Sequence, residues 1–376
     1  MDTLTARTWA QIDLRALKHN LDVAKRCGKP VMCVIKADAY GHGALRCGKL
    51  LQSSGAAAFA VACIDEAIEL RNGGITLPIL ILGYTWHGFA KTLADNSLTQ
   101  TVVDETAANE LSIAAQAAGV TVDAHIKVDT GMSRAGILAQ GKRAAIEAAD
   151  AAERIMGLPG LNVTGMYTHF SVADTPEENG YTEWQLENYM HVLNELTARG
   201  KRPAICHTSN SAAIMQHSET IIDMVRAGVM LYGMYPDSMP RTGELELEPV
   251  MTLKSRVSQV RELPAGTTVS YGRAYRAKTD ITTAVITAGY ADGYSRRLSD
   301  NAYVVIKGRR YSQIGHICMD MIMADVTGGD VCRGDEVILF GKGAMSMEEV
   351  SQVVGTINYE LTCLITPRAR RVYING

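Results

Sequence analysis

The sequence predicts an α/β protein: a (β/α)8 barrel followed by a smaller, mostly β domain. Three observations carry that expectation. From residue 32 to about residue 230, eight short apolar runs alternate with amphipathic stretches rich in alanine, leucine and glutamate. The runs are hydrophobic almost throughout, as strands are when helices cover both faces of a parallel sheet. Beyond about residue 244 the texture becomes apolar–polar alternation punctuated by glycine turns, which marks an antiparallel sheet.

The predicted barrel strands span residues 32–38, 58–63, 78–83, 99–104, 122–129, 162–170, 204–210 and 224–229. Helical periodicity places helices at 44–53, 64–72, 105–118, 143–156 and 183–198, with Gly119, Gly157 and Gly200 as C-terminal stops. Eight such units over this length indicate a closed TIM-type barrel. A doubly wound open sheet is the alternative, which eight evenly spaced units disfavour. The run at 9–14 has no place among the eight and is available to pair with the second domain. The expected division is a barrel over residues 1–243 and a β domain over 244–376. In the second domain, strand-like runs occupy 250–263, 268–275, 282–288, 303–306, 311–327 and 335–340, with one helix at 347–354. Turns fall at Pro264-Ala265-Gly266, Lys307-Gly308 and Gly328-Gly329.

Composition excludes several function classes. A chain of 376 residues accommodates two domains. Its formal net charge of −3 offers nothing for nucleic acid or an anionic membrane. No apolar run is long enough to span a bilayer, and the start, Met1-Asp2-Thr3-Leu4-Thr5-Ala6-Arg7, lacks the apolar core of a secretory signal. Eight cysteines occur without a CxxC pair or a His/Cys cluster at zinc spacing, so no metal site is expected. Cys33, Cys63 and Cys206 lie in apolar runs, as small core residues do in a reducing compartment. The expectation is a soluble cytoplasmic protein.

The barrel also says where chemistry can sit. Such barrels present it at the C-terminal ends of their strands and commonly bind phosphate at the loops after strands seven and eight. The first strand ends with Lys36 and Tyr40. A lysine ending an apolar, β-branched run is desolvated, which lowers its pKa and favours Schiff-base formation with an aldehyde. The fifth strand carries Lys127 and leads into Thr130-Gly131-Met132-Ser133-Arg134. The sixth ends in Tyr167-Thr168-His169-Phe170, the seventh runs into His207-Thr208-Ser209-Asn210-Ser211, and the eighth holds Arg226-Ala227-Gly228. Singly, each has an ordinary role. Lys36 could reach water from a strand end, Ser211 could cap a helix, and His169 could be a hydrogen-bonded core histidine. Lys127 could pair with Asp129 or Asp123, and Arg226 with Asp223. Five strands delivering such groups to one rim outweigh those roles. Lysine, phosphate loops and barrel together point to pyridoxal phosphate.

Nine motifs stand in order along the chain: VIKADAYGHG (34–43), HIKVDTGMSRAG (125–136), YTHFSVAD (167–174), SNSAA (209–213), DMVRAG (223–228), VSYGRAY (269–275), GYADG (289–293), ICMD (317–320) and TINYE (356–360). Together they resemble the alanine racemase family, pyridoxal-phosphate enzymes built as a barrel plus a β domain. The resemblance implies interconversion of L- and D-alanine by two bases, supplying D-alanine for peptidoglycan, in a head-to-tail homodimer with shared active sites. It implies that Lys36 carries the cofactor as a Schiff base and serves the D-alanine face, while Tyr271 of the partner subunit serves the L-alanine face. Tyr40, Ser211, Tyr359 and the backbone around Gly228 and Val229 would hold the phosphate, and Asn210 would join the cofactor-binding set. His169 would lie against the pyridine ring and support Tyr271, and Arg226 would meet the ring nitrogen. Arginine has no acceptor, so that nitrogen would stay unprotonated and transamination would be suppressed. Lys127, often carbamylated in the family, would orient Arg134 toward cofactor and substrate. Met319 would enter from the partner, and Tyr290 would line the entrance.

Two positions depart from the family pattern: His316 stands where arginine is usual and Met321 where glutamine is usual. The serine racemases of vancomycin resistance resemble the chain too, including LGYT (82–85), but tend to carry asparagine at the Tyr359 position and to have a membrane domain. Basic amino-acid decarboxylases share the two-domain plan but offer the ring nitrogen an acid. Single-domain pyridoxal-phosphate-binding proteins lack the β domain. A racemase of broader substrate range remains a further alternative.

Overall fold

A computed structural model describes residues 6–236 and 245–376. The expected domain boundary at 243–244 and the first five residues of the chain lie outside the described residues. Strand β1 (Thr8–Asp13) comes first, and its last residue accepts from the amides of Arg15 and Ala16 to cap the helix Leu14–Lys25.

Eight parallel strands then wind around an axis: β2 (Val31–Val34), β3 (Ala58–Val61), β4 (Ile79–Ile81), β5 (Leu98–Val102), β6 (Val122–Asp129), β8 (Leu161–Tyr167), β9 (Ile205–His207) and β10 (Val225–Ala227), with a two-residue β7 (Ile137–Leu138) flanking β6. The order β10-β2-β3-β4-β5-β6-β8-β9 leaves one seam, between β9 and β10. Single bonds bridge it: Asp223 N to the Cys206 carbonyl at 3.1 Å, and Arg226 N to the Ser209 carbonyl at 3.0 Å. The result is the nearly closed barrel that the eight apolar runs predict. The helices Ala44–Ser53, Ile64–Asn72 and Glu105–Ala118 coincide with their predicted ranges.

The two-residue period of a strand sorts side chains between the barrel interior and the helices. On β2, Met32 and Val34 face inward with Ala58, Ala60, Leu80, Tyr167 and Met224, while Val31 and Cys33 pack against the helical layer. On β6, Ala124, Ile126 and Val128 join the outer core. Parity therefore sends His125 and Lys127 inward, where both are buried.

The second domain is an eight-stranded sheet that incorporates β1. Its own strands are β11 (Met251–Leu263), β14 (Ile281–Ile286), β15 (Tyr303–Ile306), β16 (Arg309–Ser312), β17 (Ile322–Asp325), β18 (Glu336–Phe340) and β19 (Arg370–Ile374), with β12 (Thr268–Val269) and β13 (Tyr275–Arg276) forming a separate hairpin. Strand β1 lies between β11, antiparallel, and β19, parallel, so the start of the chain is stitched into the second sheet. The Trp9 side chain is fully buried there.

Three runs differ from expectation. Residues 268–275 are two short strands around the turn Tyr271–Arg273, because Ser270, Gly272 and Arg273 take positive φ and cannot continue a strand. Residues 311–327 likewise break around 316–320, with Gly315 at φ 69°. The helix Asn358–Cys363 and strand β19 match no expected element, since runs of six and five residues give too few repeats for a period to register.

Candidate active site

The predicted strand at 32–38 ends early, at Val34, and the chain then turns left-handed. Ala37, Asp38, Ala39 and Tyr40 have φ of 51°, 52°, 54° and 53° in succession. Each such residue costs about 1–2 kcal/mol for an L-amino acid, so the turn must be held from outside. Asp38 accepts from the Ala44 amide at 2.7 Å through its side chain and from the Gly43 amide at 2.9 Å through its carbonyl. His42 donates from Nδ1 to the carbonyls of Ala39 and Tyr40, each 2.9 Å away, and stacks on Tyr232. Glu66 accepts from the Ala37 amide at 2.6 Å. Gly41 passes so close to the Thr362 carbonyl that any Cβ would collide with it. Lys36 thus projects from a fixed turn rather than from a strand end. Burial, with the Arg134 charge beside it, lowers its pKa from the ordinary lysine value.

Four cations share this mouth. Lys127 is buried, and burial together with Arg134, Arg226 and Lys36 brings its pKa down to about 8. It makes no ion pair among the described residues; Asp129 instead accepts from the amides of Gly131 and Ser133 at 3.0 and 2.9 Å, folding the loop that carries Arg134. Asp223, the alternative partner for Arg226, is taken by Arg202 at 2.8 Å. Arg226, 3% exposed, spends its terminal nitrogens on the carbonyls of Thr168 (2.7 Å), Thr208 (2.9 Å) and His207 (3.0 Å) and on two histidine Nδ1 atoms, of His207 (2.8 Å) and His169 (3.3 Å). Burial first, then Arg226 and Arg134, hold His169 well below the usual histidine range, so it is neutral. With Nδ1 accepting from Arg226, its proton sits on Nε2.

Across the mouth lies a small cradle. Ser211 Oγ accepts from the Gly228 amide at 2.9 Å, and a Cβ on Gly228 would lie 3.0 Å from Tyr40 Oη and 3.7 Å from Ser211 Oγ. Tyr359 sets its ring edge-on to Tyr40 at 6.2 Å between centroids. Val229 opens the helical turn Val229–Tyr232 immediately after. The cap of the helix Ser211–Gln216 is Asn210, whose side chain accepts from Ala213 N and donates to the Phe170 carbonyl, leaving the Ser211 hydroxyl to the cradle. Lys36, Tyr40, Lys127, Arg134, His169, Ser211, Arg226, Gly228 and Tyr359 are therefore grouped at one end of the barrel.

Tyr271, Tyr290 and Met319 are not part of that group within the chain. They sit on the β domain, 70%, 43% and 52% exposed. Tyr271 and Met319 line an open depression of about 710 Å³ with Arg261, Ser270 and Met321, and no barrel residue contributes to it.

Three further residues, His125, His207 and Glu66, complete the arrangement. His207 donates to His125 Nδ1 at 3.0 Å and stacks on Tyr167, extending the Arg226 network across the barrel interior. Glu66 comes from a helix whose periodicity reports only its buried face. Strand parity would have placed His125, and its strand-end position already marks His207; nothing local marks Glu66.

Models of the alanine racemase N-terminal and C-terminal domains match residues 12–236 and 250–373. An alanine racemase of Desulfosudis oleivorans is 43% identical over 98% of this chain and 97% of its own. The structure of Clostridium difficile alanine racemase superposes with a TM-score of 0.92 at 40% identity, covering 98% of this chain and 96% of that one. A histidine racemase from Leuconostoc mesenteroides superposes with a TM-score of 0.88 at 27% identity, over 99% of both chains. With both domains matched and relatives aligned end to end, the chain belongs to the alanine racemase family, whose members are amino-acid racemases and hence isomerases.

Proposed function

We propose that the barrel mouth binds pyridoxal 5′-phosphate and that two such chains pair head to tail to interconvert L- and D-alanine. The observation that carries the cofactor assignment is the pairing of a desolvated Lys36 with the Tyr40–Ser211–Gly228 cradle on one rim. A side chain on residue 228 would fill that cradle, and Tyr40 and Tyr359 supply hydroxyls beside it. Ser211, Tyr40, Tyr359 and the backbone at Gly228 and Val229 would hold the phosphate, and Lys36 would make the covalent link. When bound, pyridoxal phosphate spreads the negative charge that appears on the substrate α-carbon as its proton leaves.

The residues do the rest. Lys36 Nζ, its pKa lowered by burial and the Arg134 charge, would hold and release a proton on one face. Tyr271 of the partner subunit would work on the other face, its phenolate accepting from the Nε2–H of His169. His169 acts there as a neutral donor, because Arg226 occupies Nδ1. Arg226 can only donate, so it would leave the ring nitrogen unprotonated. A decarboxylase of this plan would present an acid instead, and no acid pairs with Arg226 among the described residues. The four cations suit a phosphate and a substrate carboxylate, with Arg134 and Met319 toward the latter. Lys127 with a pKa of about 8 keeps an appreciable neutral fraction that can add carbon dioxide, releasing one proton and leaving an anionic carbamate between Arg134 and Arg226. Native mass spectrometry would read that as one added carbon dioxide. Tyr290 would border the entrance. A cytoplasmic setting and a supply of D-alanine to peptidoglycan complete the reading; no helix of the described residues is long and apolar enough to cross a membrane.

The test is to incubate L-alanine and L-serine separately with the loaded enzyme and follow chirality. Alanine reaching equal D and L much faster than serine is expected. Faster serine would move the chain to the serine racemases, and carbon dioxide released from lysine, ornithine or arginine would make it a decarboxylase.

A further inference from the structure

We propose that Glu66 is a positioning residue, whose carboxylate clamps the left-handed turn that presents Lys36 to the barrel mouth. The inference rests on the assignment of Lys36 above. One carboxylate oxygen accepts from Ala37 N at 2.6 Å and the other from Ala62 N at 2.7 Å. Ala37 N belongs to the planar peptide unit that includes the Lys36 carbonyl and Cα, so fixing that nitrogen fixes the plane from which Lys36 departs. Ala62 follows directly on β3, which pairs with β2. The clamp therefore references the lysine turn to the barrel wall.

An ordinary alternative exists. Glu66 is the third residue of its helix, where a glutamate commonly reaches back to cap the first turn. The bond to Ala62, the residue before the N-cap Cys63, comes near that habit. The bond to Ala37, 29 residues away in sequence, does not help the helix at all. Both bonds are charge-assisted, and Glu66 makes no ion pair among the described residues that would compete for the carboxylate.

Among the side-chain bonds that hold the four consecutive left-handed residues, the one from Glu66 lies nearest in the chain to Lys36. Its charge also bears on the lysine amine. Lys36 faces Glu66 and Cys363, which favour its ammonium form, and Arg134, Lys127 and His169, of which Arg134 and Lys127 oppose it as cations. Removing the Glu66 charge leaves the cations unopposed on that side, so the Lys36 pKa falls further.

The experiment compares wild type with Glu66→Gln, Glu66→Asp and, as a control on the same helix, the exposed Glu69→Gln. Glutamine keeps the shape but sets an NH2 donor against one backbone N–H; aspartate keeps the charge but withdraws it. Competitive acetylation of the cofactor-free protein across pH, read on the Lys36 peptide by mass spectrometry, gives the lysine titration without the cofactor. In Glu66→Gln its midpoint is expected to move down by about 0.5 pH or more. In the loaded enzyme kcat is expected to fall about tenfold with KM within about twofold, as for a misplaced reactive group. Glu66→Asp lies between, and Glu69→Gln matches wild type. A Glu66→Gln protein that melts earlier but keeps the wild-type Lys36 titration and kcat overturns the proposal, leaving only a helix cap. If that variant does not fold, Glu66→Asp is judged by the same two readouts. Borohydride reduction of the loaded enzyme separately tests Lys36 itself: absence of a pyridoxyl adduct on its peptide defeats the cofactor assignment, while the acetylation still reads the clamp.

Discussion

Arg226 donates to Nδ1 of His207 across 2.8 Å in the barrel interior. Because that nitrogen accepts, His207 carries its proton on Nε2 and passes it as a hydrogen bond to Nδ1 of His125, 3.0 Å away. Burial and the Arg226 charge push both histidines below their ordinary pKa, so the chain of rings stays neutral and the arginine stays a pure donor.

The consequence for reaction outcome is direct. Arg226→Glu replaces the donor with an acceptor that would keep a ring nitrogen protonated, while leaving His207 and His169 without their partner. Racemisation is expected to fall by about 10²-fold or more. The ratio of transamination to racemisation, measured as pyruvate formed per D-alanine, is expected to rise. An unchanged ratio would show that the arginine does not govern this partition.

Gly228→Ala places a methyl group 3.0 Å from Tyr40 Oη in the cradle. Far-UV circular dichroism against wild type checks that the variant keeps its fold. Dissociation of the phosphate-bearing cofactor is expected to become at least about tenfold easier, since a bound phosphate oxygen would have to yield that space. Titrating cofactor-free protein with pyridoxal phosphate by absorbance checks it, and unaltered affinity would place the phosphate elsewhere.

Subunit sharing has a sharp test in mixed dimers. Lys36→Ala and Tyr271→Phe chains are each expected to be nearly inactive alone. If every site joins Lys36 of one chain to Tyr271 of the other, a hybrid dimer retains one intact site. Random re-pairing of equal amounts then restores about a quarter of wild-type activity, because half the dimers are hybrids with one of two sites working. No recovery after verified re-pairing would place both residues in sites built from single chains.

Stability should depend on pH through the buried histidines, and for two of them the size of the effect can be stated. His42 and His125 are held at about pKa 4, against 6.5 for a free histidine, with burial as the first cause. Below pH 6.5 the unfolded chain takes up protons on both, while the folded protein does so only near pH 4. Their contribution is therefore complete above pH 6.5 and is lost as pH falls toward 4, by up to about 3 kcal/mol for each. Urea midpoints of cofactor-free protein at pH 7 and near pH 4.5 are expected to differ accordingly. His125→Gln should flatten that dependence; if the slope stays the same, His125 is not among its sources.

Much of the barrel was legible because its signal is periodic. Unbroken apolar runs identify strands covered on both sides, and glycine-bounded amphipathic stretches identify the helices between them. The rim residues followed once the strands were numbered, since each lies at a strand end or in the loop just after it. What escaped had no period to register. The lysine run looked like strand through Asp38, yet it leaves the sheet at Val34, because left-handed geometry in Ala37 and Asp38 is imposed by Glu66, Ala44 and His42 rather than encoded by those two residues. Similarly, the hydroxyl of Ser211 is free for the cradle only because Asn210 caps the helix, a division of labour that composition does not reveal.

By itself the sequence determined the barrel, the mostly β region after it and the placing of Lys36, Ser211 and Gly228 at or just beyond strand ends, because burial pattern and strand-end position are local properties of a chain. Only the tertiary structure decided that β1 belongs to the second sheet, that Arg226 answers to histidines and carbonyls instead of Asp223, and that Tyr271 and Met319 stand away from Lys36. Those are distances between residues far apart in sequence. They are set by how closed sheets and packed layers bring strands together, which no local pattern can specify.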